Sequence, residues 1–465
     1  MNKTKGIAMA KQVVVPTTNT NMKTTANVRV RDFFENDFKQ FSVYDNERSI
    51  PRLSDGLKTS QRKCLFALVK RGENAAEIKV QQAGSYVAQV SDYHHGEGSL
   101  MSTLVGLAQN FAGSNNVNLL APNGQFGSRL SPEAAAPRYI FTELTSAFRR
   151  LFKKDDDHIL KHFDSDGMQI EPETYMPILP MVLVNGGSGT GTGFACSIMS
   201  YHPLQLRDNI QLRLQNKEAA PLVPWYNGFN GTVDRVEKQT VIKGKFEIVN
   251  SVTIRVTELP IGTYLDDYIA QLIKLEDAGF IRSWEDSSTE KQFDFLLSVP
   301  RSTTALPEDE LMQKLKLISR DTENLTLWDV NGKMRKFDTV QDMIDRFIEW
   351  RLERYEERRI KLIDINEKEL VWLNEKLRFI LFYLANTDKF KNSGKKILID
   401  LLEAEKFTDP SRLLSMSIWS LTHDEIKKLE KEIIAVENEL KRLKKLTPKA
   451  MYQLELKELA IDGIA

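Results

Sequence analysis

Ile426, Leu429, Ile433, Val436, Leu440 and Leu443 follow one another at steps of three, four, three, four and three residues. A heptad seam this regular cannot be buried by the helix that carries it; a second helix has to lie along it. The chain offers one upstream. From about Thr339 it turns strongly helical, and Ile348, Leu352, Tyr355, Leu362, Leu373, Leu377, Ile380 and Leu384 fall mostly on one stripe, interrupted by Arg359 and Asn366. Pro448 breaks the second seam, because proline removes a helical donor and crowds the preceding turn. Two long helices separated by a stretch of shorter ones predict an antiparallel coiled-coil arm (339–385 and 424–465) with a globular tip (386–423). The plainer expectation is an ordinary helical bundle.

The rest of the chain is of mixed character. Its 465 residues allow about two to four domains. Helices are expected near 58–71, 99–112 and 142–152, and Asn123-Gly124 is a strong turn signal. From 181 onward the pattern changes. Val252-Thr-Ile254-Arg-Val256 and Phe293-Asp-Phe295-Leu-Leu-Ser-Val299 carry the period of strands, with short helices expected near 264–278 and 307–318. Residues 1–29, rich in Thr, Asn and Lys without an apolar signal core, read as a flexible extension. No apolar run approaches the roughly 20 residues of a membrane span. Two cysteines, Cys64 and Cys196, fit free thiols in a reducing, cytoplasmic compartment. The formal net charge is zero, so any nucleic-acid binding has to come from local clustering. Between Arg48 and Arg71 there are seven basic residues against one acid, Asp55. Lys58, Arg62 and Lys63 fall where a helix should start after the Asp55-Gly56 turn, with Leu65, Phe66 and Leu68 as an apolar face beside them. A helix packed on a core with its Lys and Arg turned outward is a DNA-docking design.

Residues 134–139 read Ala-Ala-Ala-Pro-Arg-Tyr. A tyrosine phenol, with a pKa of roughly 10, is a poor nucleophile at neutral pH. An adjacent guanidinium keeps its own proton, holds a phosphate oxygen and offsets charge that builds up during attack. Arg138 and Tyr139 are therefore the minimum set for attacking a phosphodiester and forming a covalent phosphotyrosine. Alone, the dipeptide is as readily a strand or helix end with a half-buried ring.

Its neighbours decide. Upstream stand Arg48-Ser-Ile-Pro-Arg-Leu-Ser-Asp55-Gly-Leu-Lys58-Thr-Ser-Gln-Arg62-Lys63 and Tyr93-His94-His95-Gly96-Glu97. Asn123-Gly124-Gln-Phe126-Gly127 follows, and beyond the pair come Glu171-Pro-Glu-Thr-Tyr-Met-Pro-Ile-Leu-Pro180 and Val184-Asn185-Gly-Gly-Ser-Gly-Thr190-Gly-Thr-Gly193. This ordered set resembles the breakage–reunion region of type IIA DNA topoisomerases over roughly residues 30–465. Tyr-His-His-Gly-Glu and Pro224-Trp-Tyr-Asn-Gly-Phe-Asn-Gly231 are closer to the eukaryotic enzymes than to bacterial gyrase, and the T-even-type bacteriophage branch of the family is the most similar.

The resemblance implies an α+β multidomain fold: a winged-helix (CAP-like) cleavage domain at 30–180, an α/β tower at 181–338, and the coiled-coil arm, whose tip forms an exit gate and homodimer contact through the Leu- and Ile-rich segment Ile397–Trp419. It implies Tyr139 as nucleophile, Arg138 as transition-state stabiliser, and His95 as the histidine that orients the tyrosine or the scissile phosphate. His94 is an alternative, since spacing does not separate adjacent histidines. Arg48, Lys58 and Arg62 match basic residues that contact DNA phosphates, and Lys63 joins them. Thr190 stands where the family carries an isoleucine that wedges between base pairs; its hydroxyl predicts a weaker wedge. Pro137, which biases Ala136 to an extended conformation, is a second departure.

The family's metal-binding Toprim pattern, Glu-Gly-Asp-Ser followed by Asp-x-Asp, is absent from this chain, as are its ATP-binding signatures. Mg2+ and ATP are therefore expected on partner subunits, with no metal on this chain. Asp155-Asp156-Asp157 reads as an acidic surface turn. His158, His162 and Asp157 have a spacing that could hold zinc, but a solvated helix face is the commoner reading. The glycines around Ser188 lack the Lys-Ser/Thr of a phosphate loop. Tyrosine recombinases need an Arg…His-x-x-Arg…Tyr order and relaxases a histidine triad, and neither is present. A non-catalytic DNA-bridging protein remains an alternative, although it has no need of Arg138-Tyr139 or His95.

Overall fold

A computed structural model describes residues 29–72, 75–416 and 423–461. The extension expected at 1–29 lies, apart from Arg29, outside the described residues, as does the Trp419 end of the tip segment.

After the Asp55-Gly56 turn, Cys64, Leu65, Ala67 and Leu68 give the helix Thr59–Arg71 one buried face. Its first turn is closed by the Gln61 side chain, which accepts from the Lys58 N–H at 2.8 Å. Gly56 is required at its turn: φ is +70°, and a Cβ there would lie 2.3 Å from the Val182 nitrogen. The helices Val80–Val90 and Glu97–Ala108 pack with Thr59–Arg71, burying Val80, Ala83 and Val87 against Leu100, Leu104 and Leu107. The helix expected at 99–112 stops at Ala108, because the Asn115 amide donates to the Gly106 and Gln109 carbonyls (2.7 and 2.8 Å) and turns the chain back. Strand Ile78–Lys79 pairs antiparallel with Phe141–Thr142 and ties this group to the segment carrying Tyr139.

One apolar core unites these helices with Met181–Val184, the helix Pro203–Leu214, Leu325 to Trp328, the first turns of the long helix (Val340, Met343, Ile344) and Tyr452 and Leu456 near the C-terminus. The packing thus crosses the division expected between 180 and 181, since the wholly apolar run Met181–Val184 is buried against the residues before it. A second core lies within 254–317. There an antiparallel sheet of Ser283–Asp286, Phe295–Ser298, Thr253–Glu258 and Lys245–Asn250 covers the helices Leu265–Asp277 and Glu308–Lys314. Alternation places Ile254, Val256, Phe295 and Leu297 inward. Arg129 joins the two regions by donating to the Leu259, Pro260 and Thr263 carbonyls (2.7, 3.0 and 2.9 Å).

The long helix Val340–Ala385 has 46 residues, about 70 Å at 1.5 Å per residue. Thr339 and Asp342 cap it reciprocally. Leu373 and Ile380 pack against Leu429 and Ile433 of the helix His423–Lys445. Ion pairs Glu367–Lys444 (2.6 Å) and Lys376–Glu425 (3.3 Å) run in opposite numerical order, so the pair is antiparallel. It ends before Pro448. Thr447 caps a separate helix, Pro448–Glu458, which returns to the first core instead of continuing the arm to 465. Between the long helices Phe379, Leu402, Phe407 and Leu413 form a small core of their own.

The Asp155-Asp156-Asp157 turn is not a surface feature throughout. Asp156 is buried, accepting from Arg351 (2.5 Å to Oδ2) and lying 3.5 Å from Arg358, and Arg358 in turn reaches Glu455 of the C-terminal helix at 2.5 Å. A carboxylate inside a protein needs such partners.

Candidate active site

The Tyr139 loop is fixed by its backbone and open at its side chains. Val80 N–H donates to the Ile140 carbonyl (3.0 Å), Gln81 N–H to the Pro137 carbonyl (3.1 Å) and Tyr139 N–H to the Ala136 carbonyl (2.9 Å). Asn123 and Phe141 exchange two backbone hydrogen bonds, and Ile140 is buried beneath the Asn123-Gly124 turn. Gly124 is needed there, with φ +119° and an Ile140 methyl 2.9 Å from where its Cβ would be. Tyr139, next in the chain, is 67% exposed. A core aromatic does not project from a clamped loop in this way. The Arg138 guanidinium lies over its ring, 4.9 Å from the centroid, and Arg138 lines a shallow depression with Lys79, Gln82, Ser85 and Gln89 along the helix Val80–Val90. Cationic and amide groups beside Arg138, next to an open tyrosine, suit a phosphodiester backbone.

The two histidines separate. His94 is exposed and sits 3.2 Å from Asp92. Asp92 takes a left-handed φ of +49° and accepts from Ser165 at 2.5 Å. His95 places Nε2 2.6 Å from the Tyr44 hydroxyl, with the Tyr93 ring edge-on at 5.4 Å. Partial burial, then Arg48, then His94 hold the His95 pKa below its ordinary value, so the ring is neutral at neutral pH. Among the described residues no hydrogen bond or ring contact links His95 to Tyr139.

The basic stretch divides in the same manner. Arg48 is exposed on the helix Lys39–Ser49, with its guanidinium 5.8 Å from the Tyr44 ring. Lys58 is half-buried with no ion pair among the described residues, and burial lowers its pKa. Arg62 and Lys63, expected to face outward, are turned inward. Arg62 donates to Asp55 (2.6 Å) and to the Leu57 carbonyl (2.7 Å), and Lys63 to Glu171 (2.9 Å) and the Ser91 carbonyl (2.6 Å). Asp55 also accepts from the Leu57 and Tyr175 N–H groups, so it organises the turn around Arg62. The hint in the sequence was Asp55 itself, the lone acid among the cations. Glu171, far along the chain, gave none.

Thr190 is exposed on a hairpin of Gly187–Gly191 and Phe194–Ile198, opposite Ala195. The hairpin rests on the helix Lys39–Ser49: a Cβ on Gly189 would lie 1.9 Å from the Ser49 carbonyl oxygen, and one on Gly191 2.3 Å from Asn46 Oδ1. Close approach to that helix explains these glycines. Thr192 donates to Asp45 (2.7 Å) and accepts from the Asn46 amide (3.0 Å). No motif pointed to Tyr44, Asp45 or Asn46.

The zinc spacing does not survive folding. His158 lies in a short 3-10 turn, His162 begins a strand with Nδ1 at the Ile170 carbonyl, and Asp157 pairs with Arg149. Among the described residues no group of three or more His, Cys, Asp or Glu is placed to hold a metal ion. Both cysteines are buried and free, with burial pushing their thiol pKa values up.

Known proteins are similar to this chain in sequence and in fold. The family described as the A-type polypeptide of DNA gyrase/topoisomerase IV matches residues 48–460. The chain is 36% identical over 490 residues to Arabidopsis thaliana DNA topoisomerase 2, covering 93% of this chain and 33% of that one. It is 35% identical over 480 residues to Homo sapiens DNA topoisomerase 2-beta, covering 93% and 30%. A solved Plasmodium falciparum structure, described as a topoisomerase II DNA-binding, cleavage and re-ligation domain, superposes with a TM-score of 0.87 at 34% identity, covering 92% of this chain and 63% of that one. The chain spans about a third of the length of the curated relatives it matches.

Proposed function

The chain belongs to the DNA gyrase/topoisomerase IV family, on the side of its A-type polypeptide, and on that premise we propose that it is the cleavage and re-ligation subunit of an ATP-dependent type II DNA topoisomerase. The observation that carries the reading is the exposed Tyr139 on a clamped loop beside Arg138.

Each of two protomers presents one Tyr139 to opposite strands of a duplex, at positions a few base pairs apart. The phenolic oxygen attacks phosphorus as its proton passes to solvent. A bond from tyrosine to the 5′ phosphate forms while the bond to the 3′ oxygen breaks, and that oxygen takes a proton from solvent to leave a free 3′ hydroxyl. Arg138, always protonated, offsets charge on the non-bridging oxygens. His95, neutral and open to solvent, orients the phosphate by donating a hydrogen bond. Because the phosphotyrosine keeps the bond energy, the 3′ hydroxyl reverses the step after a second duplex has passed. Arg48 and Lys58 contribute phosphate contacts, while Arg62 and Lys63 hold the turn beneath them. Thr190 presses on the duplex from its hairpin.

A divalent metal stabilises the leaving 3′ oxygen in such transfers. We assign Mg2+, with ATP, to partner subunits carrying Toprim and ATPase modules, since this sequence holds neither the Glu-Gly-Asp-Ser…Asp-x-Asp pattern nor the family's ATP-binding signatures. In this reading the first core carries a winged-helix cleavage domain, the second a tower, and the antiparallel helix pair an arm whose tip closes a homodimer at an exit gate. The T-even-type bacteriophage enzymes, in which cleavage falls to the medium subunit, are the arrangement we favour, acting in the host cytoplasm. No helix among the described residues is long and apolar enough to cross a membrane.

The test is a cleavage assay with Mg2+, the partner subunit, duplex DNA and a denaturing quench. Wild type should leave protein on DNA 5′ ends and Tyr139→Phe should leave none. Equal adducts in both would move the nucleophile elsewhere, and none in either, with DNA binding intact, would favour a non-catalytic DNA-bridging protein.

A further inference from the structure

We propose that Tyr44 is a positioning residue for His95, holding the imidazole so that Nδ1–H faces the DNA phosphate; the inference rests on the functional reading above. Tyr44 is half exposed and adds little to any core. Its described partners are His95 Nε2, 2.6 Å from its hydroxyl, and the Arg48 guanidinium beside its ring.

The backbone that carries it is nevertheless fixed. Asn46, two residues on, is buried and donates to the Ser42 and Thr192 carbonyls (2.8 and 3.0 Å). Trp328 Nε1 donates to the Asn46 carbonyl (3.0 Å), and Asp45 accepts from Thr192 (2.7 Å). An exposed hydroxyl on an anchored helical turn, aimed at a catalytic-loop histidine, is the geometry of a group that orients its neighbour. The same turn holds the Thr190 hairpin, so the proposed wedge and the histidine share one support.

The groups facing His95 are Tyr44 and Arg48 from the helix Lys39–Ser49 and Tyr93 and His94 from its own loop. Arg48 and His94 disfavour imidazolium, and a neutral imidazole has one donor and one acceptor nitrogen. Were the proton on Nε2, the Nδ1 lone pair would face an anionic phosphate. The opposite tautomer satisfies both sides: the Tyr44 O–H donates to Nε2, and Nδ1–H, which has no partner among the described residues, donates to a phosphoryl oxygen.

Tyr44→Phe in the complex with Mg2+ present should slow cleavage roughly 5-fold at neutral pH, the size of one neutral hydrogen bond. Loss of a bond to the neutral imidazole makes protonation easier, so the His95 ring of Tyr44→Phe should titrate at higher pH than that of wild type, followed through its NMR shifts. In a His95→Ala background the same substitution should change nothing further. Nitrogen NMR of the histidines of the full chain, with and without duplex DNA, should show His95 protonated on Nδ1 in wild type and a mixed tautomer in Tyr44→Phe. An unshifted His95 titration, an equal loss in the His95→Ala background, or an Nε2-protonated wild-type ring overturns the proposal. Adducts that survive Tyr139→Phe overturn the functional reading instead, and the NMR result then still judges the contact.

Discussion

Within the basic stretch 48–71 two fates of a cation stand side by side. Arg48 is free to meet a phosphate, whereas Arg62 is spent on Asp55. Arg48→Ala should weaken DNA binding across all sequences and lower the salt-dependence slope by about 1, measured by titration at several ionic strengths. Arg62→Ala should instead destabilise the fold by about 3–5 kcal/mol, seen in denaturant melts, because it leaves the Asp55 carboxylate buried and unpaired. The reverse pattern would return Arg62 to the DNA surface. Arg138 and Tyr139 stand out in the sequence as candidates because attack on a phosphodiester calls for those residue types, and His95 stands out only through the resemblance of its motif. The inward turn of Arg62 and Lys63 was not, since whether a cation is buried depends on partners such as Glu171 that only the fold brings near. Tyr44 was invisible for a related reason: an exposed tyrosine on a helix carries no signal until its neighbour across the fold is known.

Helices and strands followed from periodicity where an apolar face repeated, as in Thr59–Arg71, Thr253–Glu258 and Val340–Ala385. Ends were less legible, because side-chain caps set them: Asn115 closes Glu97–Ala108, and Thr447 starts a new helix at Pro448. The glycine-rich segment was ambiguous as sequence. Folded, it is a hairpin whose Gly189 and Gly191 admit the backbone of the helix Lys39–Ser49, leaving Thr190 exposed. On that element the wedge can be tested. Thr190→Ile replaces a hydroxyl with a larger apolar tip, which unstacks bases more effectively. It should increase the bend of bound duplex measured by energy transfer between end labels, and an unchanged bend angle would count against a wedge at this position.

At the scale of the whole molecule, chain order and packing part company. Met181–Val184, Leu327 and Tyr452 share one core with residues 50–120, which no local pattern could announce. The long helix is tied to that core through Asp156, Arg351, Arg358 and Glu455, a largely buried network joining the Lys154–Ile159 turn, the long helix and the C-terminal helix. Tyr355 donates to Glu455 at 2.6 Å, and Tyr452 donates to the Ile178 carbonyl at 2.8 Å, on the segment that precedes Met181–Val184. Asp156→Ala leaves two guanidiniums without their shared carboxylate. It should cost about 3–5 kcal/mol, read as a lower midpoint in thermal or denaturant unfolding. A variant as stable as wild type would mean that the base of the long helix is held by apolar packing alone.

Everything proposed for this molecule turns on Tyr139 becoming covalently joined to DNA, and the most direct measurement is of the bond itself. Covalent complexes trapped with Mg2+ and the partner subunit would be digested with nuclease and protease and the nucleotide-bearing peptide sequenced by mass spectrometry. The expected product is a nucleotide attached through its 5′ phosphate to Tyr139. Attachment at another residue, or through a 3′ phosphate, would contradict it.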